Sequence, residues 1–166
     1  TVAYGAADRV SPWAYEALAV PGIRDEPFAA RVLAVASVSI GYEGRTDVAA
    51  ALVNESLALR ELHDDPSVAP MWVAQATWGS TAGRFEDAIE LALTGVQIAE
   101  RDSGQTLACV GLLAGAATFS QQLGRPDASS LAYRALEKAE HSRNPSTIAL
   151  ACFALGNGLR TSDPEA

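Results

Sequence analysis

The sequence predicts an all-α fold: antiparallel helix hairpins stacked as an α-solenoid of about eight helices, filling one domain over residues 1–166. Three observations carry this. Hydrophobic residues make up 49% of the chain and charged residues 19%, with alanine dominant and aromatics at only 7%. Alanine loses no side-chain entropy in a helix and lets neighbours approach closely, so an Ala/Leu core reads as packed helices. A sheet would need β-branched and aromatic residues. A Gly-Arg-x-acid signature recurs at Gly44-Arg45-Thr46-Asp47, Gly83-Arg84-Phe85-Glu86 and Gly124-Arg125-Pro126-Asp127. Its glycines are 39 (83 − 44) and 41 (124 − 83) residues apart, a period that marks helical arrays. Finally, the apolar residues after each turn fall at helical spacing.

The elements follow in order. Ser11 to Val20, with Trp13, Tyr15 and Leu18, reads as a helix closed by Pro21-Gly22, the second helix of a preceding repeat. The remaining helices are expected near 27–42, 47–63, 67–81, 86–101, 104–122, 127–141 and 145–160, after this first one at 11–20. At each signature the glycine supplies the left-handed conformation that ends a helix. The acid is expected in the first turn of the next helix, facing the positive end of its dipole. Pro126 is expected at or near a first helical position. Val48, Ala49, Leu52, Val53 and Leu57 then form one amphipathic stripe, and Ala88, Ile89, Ala92, Leu93, Val96 and Ala99 another. Ala128, Leu131, Ala132, Ala135, Leu136 and Ala139 form the third. Each stripe runs out into polar residues with Pro66, Gly104 or Pro145 as punctuation.

Register along the first helices is equally regular. Seven residues before the turn glycines stand Ser37, Ala76 and Ala117. Thr106-Leu107-Ala108 and Thr147-Ile148-Ala149 align at an offset of 41 (147 − 106), which puts Gly158 at the same position. All four are small, as needed where the two helices of a repeat cross. Eleven before the turn come Leu33, Trp72, Leu113 and Ala154, a mostly bulky position expected to be buried. Trp78, six residues past Trp72, points to another face, either for packing on the neighbouring repeat or for anchoring a partner.

On these residues, with the small positions five beyond the glycines (Ala49, Ala88 and Ser129), the chain resembles the tetratricopeptide repeat (TPR) superfamily over roughly residues 27 to 160. The repeats are five to seven residues longer than that family's 34, and its aromatic four before the turn is replaced by Ile40, Gly79 and Ser120. Long, alanine-rich, degenerate repeats of this sort are similar to the arrays in large bacterial signal-transducing ATPases and multidomain transcription regulators. The resemblance implies a right-handed TPR-like superhelix. It also implies a non-catalytic scaffold for protein–protein or interdomain contact, an excerpt of a longer chain whose ATPase or nucleotidyl cyclase activity would lie elsewhere. The opening Thr-Val-Ala-Tyr-Gly, without Met, and the Asp-Pro-Glu-Ala end fit such an excerpt. The alternative is a small-molecule effector-sensing domain of the same regulator.

Charge narrows the partners. The formal net charge is −8, the only lysine is Lys138, and the eleven arginines are scattered. Nucleic-acid affinity comes mainly from phosphate neutralisation, so direct nucleic-acid binding is not expected, nor is an anionic membrane. No leader or membrane-length apolar run is visible. Cys109 and Cys152 both sit in apolar stretches and read as reduced core residues in a cytoplasmic protein.

No enzyme chemistry, cofactor or metal is expected. No phosphate-binding Gly-x-x-x-x-Gly-Lys loop exists, and Gly111 and Gly115 read as a close-packing surface. His63 and His141 stand at ends of second helices, where the dipole favours them, without metal-ligand spacing. A Cys–His pair remains geometrically possible. Glu55 with Glu61, and Glu86 with Glu90, read as hydrated helix faces and not as an acid–base pair. Asn54-Glu55-Ser56 matches a glycosylation acceptor but falls in mid-helix.

In arrays of this kind the first helices line a concave groove. Positions two, six and thirteen before the turns are expected to face it, and the groove candidates are Arg31, Val38, Tyr42, Val73, Thr77, Thr81, Thr118 and Gln122. This largely uncharged lining suits an apolar or weakly polar partner: another protein, or the neighbouring domains of the parent chain. Apolar faces at the two ends of the array would also allow a homodimer.

Overall fold

Eight α-helices and two short 3-10 turns, with no strand, make up the residues described by the computed structural model, 7–101 and 103–162. In chain order they are α1 (Ala7–Ala19), α2 (Ala29–Tyr42), α3 (Thr46–Leu62), α4 (Ala69–Ala82), α5 (Phe85–Ala99), α6 (Thr106–Gln122), α7 (Ala128–Ser142) and α8 (Pro145–Ser162). The 3-10 turns, Ile23–Asp25 and Ser103–Gln105, lead into α2 and α6. The eight expected helices are all present. The chain's terminal residues 1–6 and 163–166, which include the Asp-Pro-Glu-Ala end, and the packing around Gly158 lie outside the described residues.

The turn glycines adopt the left-handed conformation, with φ of 83° at Gly44, 64° at Gly83 and 65° at Gly124. In each turn the next amide reaches back into the helix just ended. Arg45 N donates to Ile40 O at 3.3 Å, Arg84 N to Trp78 O at 3.0 Å and Arg125 N to Ser120 O at 2.8 Å. Carbonyls that would otherwise be orphaned at the helix end are thereby satisfied. Asp47, Glu86 and Asp87 sit in the first turns of α3 and α5. The third turn departs from expectation. There α7 begins only at Ala128, so Pro126 and Asp127 belong to the preceding turn. This delay turns Ser129 out to solvent and buries Ala128 in its place. At the other end α1 begins earlier than expected and runs through Pro12, which removes one rung of its hydrogen-bond ladder.

Consecutive helices pack as antiparallel pairs: α2 on α3, α4 on α5 and α6 on α7, with α1 against α2 and α8 against α7. The layers differ. Among the first helices α2 touches α4, α4 touches α6 and α6 touches α8, whereas no comparable contact joins α3 to α5 or α5 to α7 among the described residues. The first helices therefore form the tighter layer, which places them on the inside of the array.

That layer is tight because it is built on small residues. Gly79 lies under the Phe119 ring, Gly111 under the Trp72 indole and Gly115 against Gln75, so a β-carbon at any of the three would overlap its neighbour. Gly111 and Gly115 are thus packing positions between α4 and α6. The bulky register is buried at Leu33, Leu113 and Ala154, while Trp72 is half-buried. The small register holds at Ser37 and Ala117, but Ala76 is exposed. Gly79, one turn later, is the small residue of α4 that makes a close approach, and it does so to Phe119 of α6 and not across its own hairpin. Cys109 is buried as expected; Cys152 is exposed, because α8 turns that face away from α6 and α7. Buried side chains form one large cluster from Val68 to Ala151, centred on α4 to α8, and a separate one on α2 and α3 around Leu33, Ile40, Leu52 and Leu59. A small third group joins Ile89 to Phe119.

Candidate functional site

Five of the groove candidates converge. Val38, Tyr42, Val73, Thr77 and Thr81 line one open cleft of about 540 Å³ between α2 and α4, with the start of α3 closing one end. That volume lies in the range of ligand and peptide pockets. Trp72, read from the sequence as core, supplies part of the wall, and the exposed Ala76 leaves room beside it. Val38 is 40% and Tyr42 57% exposed, so apolar and aromatic surface faces solvent here.

The threonines make this cleft more apolar than their names imply. Thr77 Oγ1 donates to Val73 O at 2.9 Å and Thr81 Oγ1 to Thr77 O at 2.6 Å, each one turn back in the same helix. With the hydroxyl proton spent on its own helix, each side chain has no donor left for a partner. Among the described residues lining the cleft there is no ionisable group except the Tyr42 phenol.

The other three candidates lie elsewhere. Arg31 does not line the cleft: it clamps the α3–α4 loop, with Nε 2.9 Å and Nη2 2.6 Å from the two carboxylate oxygens of Asp65. Asp65 has no exposed side-chain surface and also accepts the Ser67 amide at 2.9 Å. A buried carboxylate needs such partners. Burial pushes this carboxyl up, but the Arg31 guanidinium and then the Ser67 amide outweigh it and hold it below the usual carboxylate range. Thr118, half-buried on α6, bonds back to Ala114 O at 2.9 Å, and Gln122 is exposed at the end of α6. Trp78 packs toward the preceding repeat. Its Nε1 is 3.3 Å from Asn54 Oδ1, and the Arg84 guanidinium lies 4.5 Å from its ring centre.

A second cleft, of about 500 Å³, lies where the end of α5, the start of α6 and one face of α7 meet. It is charged. Arg134 and Lys138, one turn apart on α7, both approach Glu100 Oε1, at 3.5 and 2.9 Å. The Lys138 hydrogen bond outweighs partial burial and holds the Glu100 carboxyl below its usual range. Glu137, His141 and Cys109 complete the relevant lining. No signal in the sequence joins these residues, which come from three helices up to 41 positions apart (141 − 100). His141 Nδ1 lies 2.7 Å from Glu137 O, within its own helix. Cys109 and His141 thus share a cleft, but no hydrogen bond joins them among the described residues, and burial pushes the Cys109 thiol up. An activated nucleophile needs the opposite shift.

Among the described residues no group of three or more His, Cys, Asp or Glu is placed to hold a metal ion, and no helix is long and apolar enough to cross a membrane. Glu86 and Glu90 are both exposed, while Glu55 is paired to Arg24. No protein-family model matches the sequence, and no curated protein matches it.

Proposed function

We propose that this chain is a non-catalytic, TPR-like helical-repeat scaffold, working in the cytoplasm within a bacterial regulatory protein of the signal-transducing or transcription-regulator type. Its partner is a protein segment or a neighbouring domain of the parent chain. The observation that carries this reading is the α2–α4 cleft: open, uncharged and walled by Val38, Tyr42, Trp72 and Val73. Such a wall suits the apolar face of a helix or extended peptide, which gains affinity by burying apolar surface. The net charge of −8 supports a partner other than nucleic acid. The same reading allows self-association, since Trp13 and Phe153, on the first and last helices, are 69% and 66% exposed. Light scattering over a concentration series should then show dimer, and a stable monomer throughout would remove that part.

A displayed-peptide selection on the intact chain tests the main reading. Selected peptides are expected to carry apolar residues three or four positions apart and to lose about tenfold or more in affinity for Val73→Asp. Circular dichroism would establish that the variant stays helical. Peptides that bind Val73→Asp and Tyr42→Ala as tightly as the parent would sink the assignment of the groove. A second reading, small-effector binding, is favoured by one specific observation, the charged cleft on α7.

A further inference from the structure

Among the described residues, the four ion pairs outside this charged cleft each join one arginine to one carboxylate: Arg24 to Glu55, Arg31 to Asp65, Arg84 to Asp87 and Arg125 to Asp127. The α7 cleft breaks that pattern twice. There a single carboxylate oxygen, Glu100 Oε1, faces two cations, and the Arg134 contact, at 3.5 Å, is beyond good hydrogen-bond length. Most of the guanidinium's five donors therefore remain unspent, in the planar fork that suits a second carboxylate. In the same cleft Glu137 has no ion-pair partner among the described residues. The site thus offers an under-used cation pair and an unpaired anion side by side, over a neutral floor that includes Ala99 and Cys109.

We propose that this cleft binds a small zwitterion, an amino acid or short peptide, whose carboxylate sits between Arg134 and Lys138 and whose ammonium faces Glu137. Charge favours this class over a simple anion. The two cations and two carboxylates of the cleft balance, and a chain of net charge −8 repels an approaching anion but not a zwitterion. The volume of about 500 Å³ accommodates a ligand of one to three residues. Glu100 then serves as an internal stand-in that holds the two cations in place until a ligand carboxylate shares them. This inference rests on the effector reading of the α7 cleft and is independent of the peptide groove on α2 and α4.

Amide shifts of the 15N-labelled chain provide the test, with the common L-amino acids and glycyl dipeptides as probes, each beside its N-acetyl and its C-terminal amide derivative. Free zwitterions should move the amides of residues 106–109 and 134–142. Loss of either charge in the ligand should weaken binding about tenfold or more, as should Arg134→Gln or Glu137→Gln. Both side chains are exposed, so these variants keep the fold. Glu100→Gln should tighten binding by freeing both cations. If succinate or phosphate binds this cleft as well as the zwitterions do, and Glu137→Gln changes nothing, the zwitterion assignment is wrong while the effector reading stands. Shifts from none of the probes would overturn both.

Discussion

Two glycines in the middle of helices should respond to the same substitution with opposite signs. In either helix, alanine gains about 0.8–1 kcal/mol of intrinsic propensity over glycine. At Gly156 on α8 a β-carbon would meet no heavy atom within 4 Å, so Gly156→Ala should realise most of that gain. At Gly111 the new carbon would fall inside the Trp72 indole, a flat, rigid group unlike the free end of a flexible chain. Overpacking of that kind costs about 1–3 kcal/mol, and the Trp72 ring must shift to relieve it. With the Trp72 indole too rigid for the low end of that cost, the propensity gain offsets only part, leaving Gly111→Ala destabilised by up to about 2 kcal/mol. For a domain of this size each kcal/mol moves Tm by about 2–4 °C. Urea unfolding followed by helical circular dichroism, at a common denaturant slope, should therefore move the two midpoints apart. Repeating Gly111→Ala in a Trp72→Leu background should remove most of its cost. A Gly111→Ala variant as stable as the parent would refute the packing argument, as would a cost undiminished by Trp72→Leu.

Acid should weaken the array through its paired carboxylates. Asp65, Glu100 and Asp127 all have carboxyls held below their ordinary range, so their contribution is complete above the unfolded-state pKa near 4 and is lost as pH falls through the folded values. Stability should be flat from neutral pH to about 5 and drop below about 4, and Asp65→Asn should flatten part of that drop while costing about 1–3 kcal/mol at neutral pH, since Arg31 keeps access to solvent. Chemical unfolding across pH 3–7 would measure this, and an acid slope unchanged by Asp65→Asn would count against it. The thiols should separate by labelling: a maleimide should modify the exposed Cys152 in the folded chain and reach the buried Cys109 only on unfolding. Equal rates at the two would contradict the placement of α8.

How much of this was legible in the sequence follows from where each signal lives. The turns were readable because glycine, arginine and an acid act within four consecutive residues, and helix identity because apolar spacing is local. The α2–α4 cleft was partly readable for the same reason, since residues two and six before a turn share one helix face. Val73, ten before Gly83, lines the cleft as well, one turn ahead of Thr77. What the sequence hid was pairing at a distance. Arg31 looked like a free cation on the groove face, and nothing local announces Asp65, 34 residues on, as its partner. The charged cleft was hidden in the same way, because Glu100 and Lys138 meet only once α5 and α7 are stacked on α6. Periodicity also tells which face of a helix is apolar but not what covers it. Cys152 therefore read as core although its face of α8 is open.

The separation of the α2–α3 cluster from the large cluster has a mechanical consequence. The hairpin of α2 and α3 has its own core, and the cleft runs along the joint between that hairpin and the rest of the array. A chain of stacked units unfolds as its joints allow, so the N-terminal hairpin should behave as the weakest cooperative segment. Any occupant of the cleft would lean on Val38 and Tyr42 from one side and Val73 and Thr77 from the other. It would act as a splint, and its binding free energy would appear as stronger coupling between two parts that otherwise melt apart.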